Sequence, residues 1–472
     1  MRRRQWLQAG LAGLGGFAAS SWLAGTKWGG VLGGEFQDGD EDSETVRVIL
    51  PRARVPLSFI IDDSTCLVNM GHFCTPQFAE CYPRRAEYQK DWKSWPREIP
   101  DAFVREFGEW CAQHGVKGKY SIVPNPACVG WLDRELPGWS RGELQRSLNL
   151  VRDVMVPNWD IHPEMITHTR VIDLKTGRPM EAINPATMEN SYPREPMSVD
   201  QLAEYLAYAL RILRNCDLPC EGITTPGGFG NAMKPELPLA VHQAVRDVYG
   251  CEIPHYFKYV VEGEESTEPR LEGVSRTSSG SIDLTVNVPA GTGDWFGGWQ
   301  GDLDVEADRY ANEDASSGRM VELIERGQPA LMLCHWPGMY CQGTKAGFHA
   351  FQRIVTSLQE KYGDRTRWMK LSEIARYWAS KEHAVLERGE EGLAIETPFA
   401  CPDLTVEIDE FPADVATLTW LSGDKRTELT RVDRLDRLEP NTFHVTASGD
   451  QQATATICLT HPQGETHLRW TR

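Results

Sequence analysis

The sequence predicts an α/β fold in which parallel strands alternate with crossover helices, as in a (β/α) barrel, followed by a smaller all-β unit. Three observations carry this. Short apolar runs recur along most of the chain, and each ends on polar residues. Stretches with helical spacing lie between them, such as the one presenting Phe103, Phe107, Trp110 and Cys111 on one face. Past residue 395 the character changes to short alternating segments separated by turns, the pattern of half-buried strands.

Residues 1–45 read as an export signal and linker. Arg2-Arg3-Arg4-Gln5-Trp6-Leu7-Gln8 precedes a weakly apolar Gly/Ala-rich stretch from Ala9 to Gly25, an arrangement that resembles a twin-arginine export signal. A short membrane anchor is the alternative, but the stretch is brief and diluted by glycine and alanine. Either places the remainder outside the cytoplasm, in the periplasm or beyond it. The acidic Glu41-Asp42-Ser43-Glu44 reads as a flexible linker, and no later segment is long and apolar enough to span a membrane.

Residues 46–385 hold the expected barrel. Pro56 to Ile61 is an apolar run that ends on Asp62-Asp63. Two adjacent charges at a strand end repel and lose hydration, so they need compensation, most simply a divalent cation. Neighbouring strand residues point to opposite sides, but at a frayed end both can turn toward one site. Lys119 to Val123 ends at Pro124-Asn125, and Trp159 to His162 leads through Pro163 and Glu164 to His168. Ser198 to Gln201 has the form of a capping box, followed by Leu202, Leu206, Leu210 and Leu213 at helical spacing. Gly222 to Thr225 ends at Pro226-Gly227-Gly228, Ile282 to Val288 runs on toward Asp294-Trp295, and Ala330 to Cys334 ends at His335-Trp336. In barrels of this kind the site lies at the strands' C-terminal ends, where all these reactive candidates fall.

Two insertions interrupt the pattern. Ser64 to Pro100 carries His72, Tyr82, Tyr88, Trp92 and Trp95, which either wall a groove or pack a long loop. Glu262 to Ser281 is polar and reads as exposed or mobile. Leu371 to Trp378 reads as a closing helix, Glu387 to Gly392 as a linker, and residues 395–472 as a small β-sandwich-like accessory domain.

Net charge is −18, which opposes nucleic-acid and anionic-membrane partners. Among the twelve cysteines, Cys66, Cys74 and Cys81 cluster after the aspartate pair, either bridged or as free buried thiols. Cys216 and Cys220 lack the spacing of a structural zinc site. No internal repeat, Gly-rich phosphate loop or Gly-x-Ser-x-Gly elbow is present.

With these residues in place, the stretch from about 50 to 380 resembles the polysaccharide deacetylase (NodB-homology) superfamily, carbohydrate esterase family four, which is built on a distorted (β/α) barrel. Ser58 to Asp63 looks like its first motif, which implies Asp62 as general base and Asp63 as metal ligand. Leu333-Cys334-His335 looks like its late motif, which implies His335 as general acid. Gly293-Asp294-Trp295 is similar to its Asp-Trp motif and adds Asp294 to the catalytic set. The implied cofactor is a divalent metal, zinc by preference, and the implied partner a carbohydrate or small acylated substrate. Trp295, Trp299, Trp336, Tyr340 and Pro226, beside the motif residues, are the candidates for substrate contact.

The chain departs from the family in three places. Ser64 stands where the family has glycine. The metal motif normally has two histidines four apart, yet four before His168 stands Glu164, and His162 lies six before it. A straight strand separates positions six apart by about 20 Å, so His162 and His168 share an ion only if the chain bends after Pro163. Glu164 and His168 meet readily on a helical turn, and a carboxylate is an acceptable ligand. Asp63 and His168 form the firmest pair, with His162 preferred over Glu164 as third ligand. Finally, Thr224-Thr225-Pro226-Gly227-Gly228 falls where the family has Arg-x-Pro-x-Gly, so the arginine that orients the base is missing. The resemblance implies a metal-dependent hydrolase that removes acetyl groups from a carbohydrate, in a divergent or inactive branch. The alternatives are a glycoside hydrolase on a related metal-bearing barrel, with one carboxylate as nucleophile and a second across the substrate for which Asp294 and Glu164 are the candidates, and a non-catalytic carbohydrate-binding protein.

Overall fold

The computed structural model describes residues 45–278, 280–297, 304–447 and 452–471. The expected export signal and Trp299 lie outside the described residues. The larger part of the chain is mixed α/β with parallel strands. These are β1 (Val55–Asp62), β2 (Gly118–Ile122), β3 (Trp159–Pro163), β4 (Gly222–Thr224), β5 (His255–Phe257), β6 (Ile282–Asn287), β7 (Ala330–His335) and β8 (Thr366–Trp368). One sheet runs β7-β1-β2-β3, with β8 pairing the start of β1; a second runs β4-β5-β6 and ends on an antiparallel strand, Arg270–Arg276. Glu164 pairs with Thr224 in a single parallel bridge between β3 and β4, and the Gly291 amide donates to the Leu331 carbonyl at 2.9 Å. Contacts thus link the end of β3 to β4, and the segment after β6 to β7.

Every residue of β1 and β2 is buried, as expected of parallel strands covered on both faces. Alternation divides their side chains. Phe59, Ile61, Tyr120 and Ile161 join the large cluster formed with the helices Asp101–Gln113, Val199–Asn215 and Ala346–Tyr362. Ser58, Asp62, Lys119, Ser121 and His162 have the opposite parity, and all are buried polar groups. That face is thus polar along β2 and at the end of β1, whereas Ile60, on the same parity of β1, joins the apolar cluster of the C-terminal part. The expected capping box at Ser198 is present, with Ser198 Oγ accepting from the Gln201 amide at 3.2 Å.

The C-terminal part has two five-stranded sheets. One runs, in order, Val46–Val48, Cys401–Pro412, Gln452–His461, Thr442–Ala447 and Thr430–Arg431; the other runs Val385–Gly389, Gly392–Thr397, Gly464–Thr471, Thr417–Ser422 and Lys425–Glu428. Their apolar residues, including Ile395, Val406, Leu418, Ile457 and Leu468, share a cluster with Ile60, Leu331 and Leu333 and with the helix Leu371–Lys381.

Several expectations are corrected here. Glu387 to Gly392 is a hairpin, because Glu390-Glu391 form a tight turn between paired strands; the β-rich part begins at Val385 and recruits Val46–Val48. The polar insertion contains the strand Arg270–Arg276, which is exposed as its composition requires. The insertion after the aspartates forms the helix Met70–Cys81 and its own apolar cluster around Phe78 and Tyr88. All twelve cysteines are free, and burial pushes the Cys66 thiol up to about 12. Among the described residues no helix is long and apolar enough to cross a membrane.

Candidate active site

β1 delivers Asp62 as its last residue, and Asp63 follows with φ at +58°. That left-handed step breaks the strand's alternation and is how two neighbouring carboxylates serve one site. Asp62 lies in register with His335 at the end of β7.

Asp63, Glu164 and His168 each direct one ligand atom to within 4.8 Å of the others. His168 Nε2 stands 2.8 Å from Asp63 Oδ1 and 3.3 Å from Glu164 Oε1. Glu164 Oε2 accepts from the Asp63 amide at 2.7 Å and from Ser121 Oγ at 2.8 Å, which fixes its rotamer. The imidazole is buried, which opposes charge, but Asp63 and then Glu164 hold its pKa well above the usual histidine range. Two carboxylate oxygens and one imidazole nitrogen within 4.8 Å of one another make a donor set that could hold a divalent ion such as zinc.

The loop that carries His168 is held by a residue the sequence did not flag. Glu189, fully buried, accepts from the amides of Ile166, Thr167 and His168 at 3.2, 2.9 and 2.6 Å, and from Tyr205 Oη at 2.6 Å. Burial pushes its carboxyl up to about 7.

His162 does not join this group, and the preference for it over Glu164 is corrected. His162 and Glu164 face the same side of β3, but two residues along a strand are about 6.6 Å, so His162 sits one layer deeper. There its Nε2 meets His255 Nε2 at 2.9 Å, near Asp160. Gly222 makes room for the pair: a Cβ at that position would stand 2.5 Å from His162 Nε2. Burial, before any other cause, lowers the pKa of both imidazoles, that of His255 to about 4.

The two residues expected to move protons are held by separate partners. Burial pushes the Asp62 carboxyl up to about 6, against the pull of Lys119, whose ammonium donates to Asp62 Oδ1 and, at 3.0 Å, to the Ile61 carbonyl. The sequence left Asp62 with no cationic partner once the arginine was missing; Lys119 supplies one from β2. His335 Nδ1 lies 2.7 Å from Asp294 Oδ2, and that oxygen also accepts from the His335 amide at 3.1 Å. Burial works against the imidazolium, yet the Asp294 hydrogen bond and the Asp63 charge bring His335 up to about 9.

The expected substrate contacts are placed unevenly. Trp336 is fully buried and packs against Phe103, Phe107 and Tyr120, because alternation sends it to the opposite side from His335. Pro226 is buried in a turn, its carbonyl accepting from the Phe229 amide. Tyr340 is half-buried against Phe103. Trp295 follows Asp294, with its ring covered by the Arg309 guanidinium at 4.2 Å and flanked by Tyr310. His72 belongs to the insertion's own packing, Nδ1 on the Trp95 carbonyl at 2.9 Å.

No family model matches the chain, and no curated protein matches it significantly. Among solved structures, the 4-alpha-glucanotransferase of Thermococcus litoralis is similar at 12% identity and a TM-score of 0.34, covering 68% of this chain and 40% of that one. This chain thus spans less than half of that enzyme. The alpha-fucosidase of Thermotoga maritima in complex with fucose is similar at 11% identity and a TM-score of 0.29, covering 90% and 97%.

Proposed function

We propose that this protein is a metal-dependent hydrolase that removes an acyl group, acetyl in the simplest case, from a carbohydrate. One observation carries the reading: the ligand group Asp63, Glu164 and His168 lies beside Asp62 and His335, which are poised by separate partners as base and acid. A divalent ion held there would polarise the acyl carbonyl and bring the pKa of a bound water from about 15.7 toward about 7. Asp62 takes a proton from the attacking water. Near neutral pH His335 is charged, and its Nε2 proton goes to the leaving amine or alkoxide as the acyl bond breaks. The two carboxylates considered for glycoside hydrolysis are each engaged by an imidazole, Asp294 by His335 and Glu164 by His168. A carbohydrate partner is supported by the resemblance alone, and export by residues 2–25 alone.

The test is to purify the protein with zinc, assay acetate release and new reducing ends on acetylated oligosaccharides, and count metal. Acetate without new reducing ends is expected. Asp62→Asn should keep its metal and lose about 100- to 10,000-fold in rate. Near-normal turnover in Asp62→Asn and His335→Ala together would remove the deacetylase reading, and reducing ends without acetate would make glycoside hydrolysis the function.

A further inference from the structure

Lys119 lies in the middle of β2 with no side-chain surface exposed. A buried ammonium is costly unless it is paired and its hydrogen bonds are satisfied. Here they are: Nζ donates to Asp62 Oδ1 and to the Ile61 carbonyl at 3.0 Å, and it faces the Phe257 ring at 5.4 Å from the centroid. The pairing is one-sided. Asp62 Oδ1 is engaged, whereas Asp62 Oδ2 has no hydrogen bond among the described residues. Because the Ile61 carbonyl belongs to the residue just before Asp62, one ammonium ties the carboxylate to its own backbone. That contact fixes the rotamer of Asp62 through Oδ1.

We propose that Lys119 is a positioning residue for the hydrolytic site: it clamps Asp62 Oδ1 so that Oδ2 is the oxygen presented to the reacting water. The inference rests on the reading of Asp62 as general base. It differs from a purely structural ion pair, which would hold the sheet together whatever Asp62 does. A base misplaced by about 1 Å costs on the order of 100-fold in rate, so loss of the clamp should appear in kcat.

The experiment is a double-mutant cycle in the zinc-loaded full chain, with Lys119→Met, Asp62→Asn and the pair, measuring kcat, KM and bound zinc. Lys119→Met should keep its zinc, change KM by less than about threefold and lower kcat roughly 100-fold. In the Asp62→Asn background it should cost less than about threefold, because no carboxylate remains to be held. Lys119→Gln, which keeps uncharged N–H donors on a side chain one bond shorter, should restore part of kcat and gives the same comparison if Lys119→Met does not fold. Equal kcat losses from Lys119→Met in both backgrounds would overturn the positioning role while leaving the base reading intact. A loss confined to KM would do the same. Near-normal kcat in Asp62→Asn alone would instead overturn the base reading, and this assignment with it.

Discussion

Replacing Asp294 with asparagine isolates what holds the proposed acid in its charged form. In the native site His335 is at about 9 and Asp62 at about 6. The working form needs Asp62 as carboxylate and His335 as imidazolium. Activity should therefore fall as pH drops through about 6, where Asp62 gains a proton, and fall again as pH rises through about 9, where His335 loses one. The amide side chain of Asp294→Asn has the shape of the carboxylate without its charge, so burial of His335 is opposed only by the Asp63 and Asp62 charges and its pKa falls toward the ordinary value of about 6.5. At pH 7.5 the charged fraction of His335 then drops from about 97% to about 9%, a loss of about tenfold, and at pH 8 the loss is about 30-fold. The assay is initial rate of acetate release from about pH 5 to 10 at saturating substrate, with zinc content checked in each variant. A basic limb that stays near its native midpoint in Asp294→Asn would refute the reasoning.

Other outcomes follow from the same geometry. Glu164→Ala should lose bound zinc while His162→Ala retains it, measured by metal analysis after dialysis; the reverse pattern would restore His162 as ligand. Glu189→Ala frees the amides of Ile166, Thr167 and His168 and should weaken zinc binding by about 10- to 100-fold, read by competition with a chromophoric chelator. Gly222→Ala drives a methyl to 2.5 Å from His162 Nε2 and 2.7 Å from the His255 carbonyl, which should destabilise the fold by about 1–3 kcal/mol in thermal unfolding; an unchanged Tm would mean the buried pair can move apart.

How much of this was legible depended on whether a residue's role is local. Asp62-Asp63 stood out because charged neighbours at the end of an apolar run have no cheap explanation, and His335 because it ends another such run. The capping box at Ser198 was readable because its two hydrogen bonds lie within four residues. β5 and β8 were not, since three residues cannot establish a period. Lys119 was passed over as part of an apolar strand; the warning was a lysine at a position flanked on both sides by core residues. The choice between His162 and Glu164 could not be made from spacing, because both have the same parity and only depth along β3 separates them. Glu189 left no trace, as it acts through backbone amides 21 to 23 residues before it.

The strand Val46–Val48 has a consequence for how the chain is made. It is synthesised near the start, yet its partner is Cys401–Pro412, and Arg47 pairs with Asp409 across 362 residues. At about 5–20 residues per second a ribosome needs roughly 20–70 s to bridge that interval. For that time the segment leading into β1 has an open edge, and for a shorter interval after their own synthesis Leu331 and Leu333 lack the apolar cover that the last sheets provide. Until the last strands are made, the α/β part is therefore an aggregation-prone species with apolar surface uncovered. A chain truncated before Val385 should remain one permanently, aggregated rather than folded.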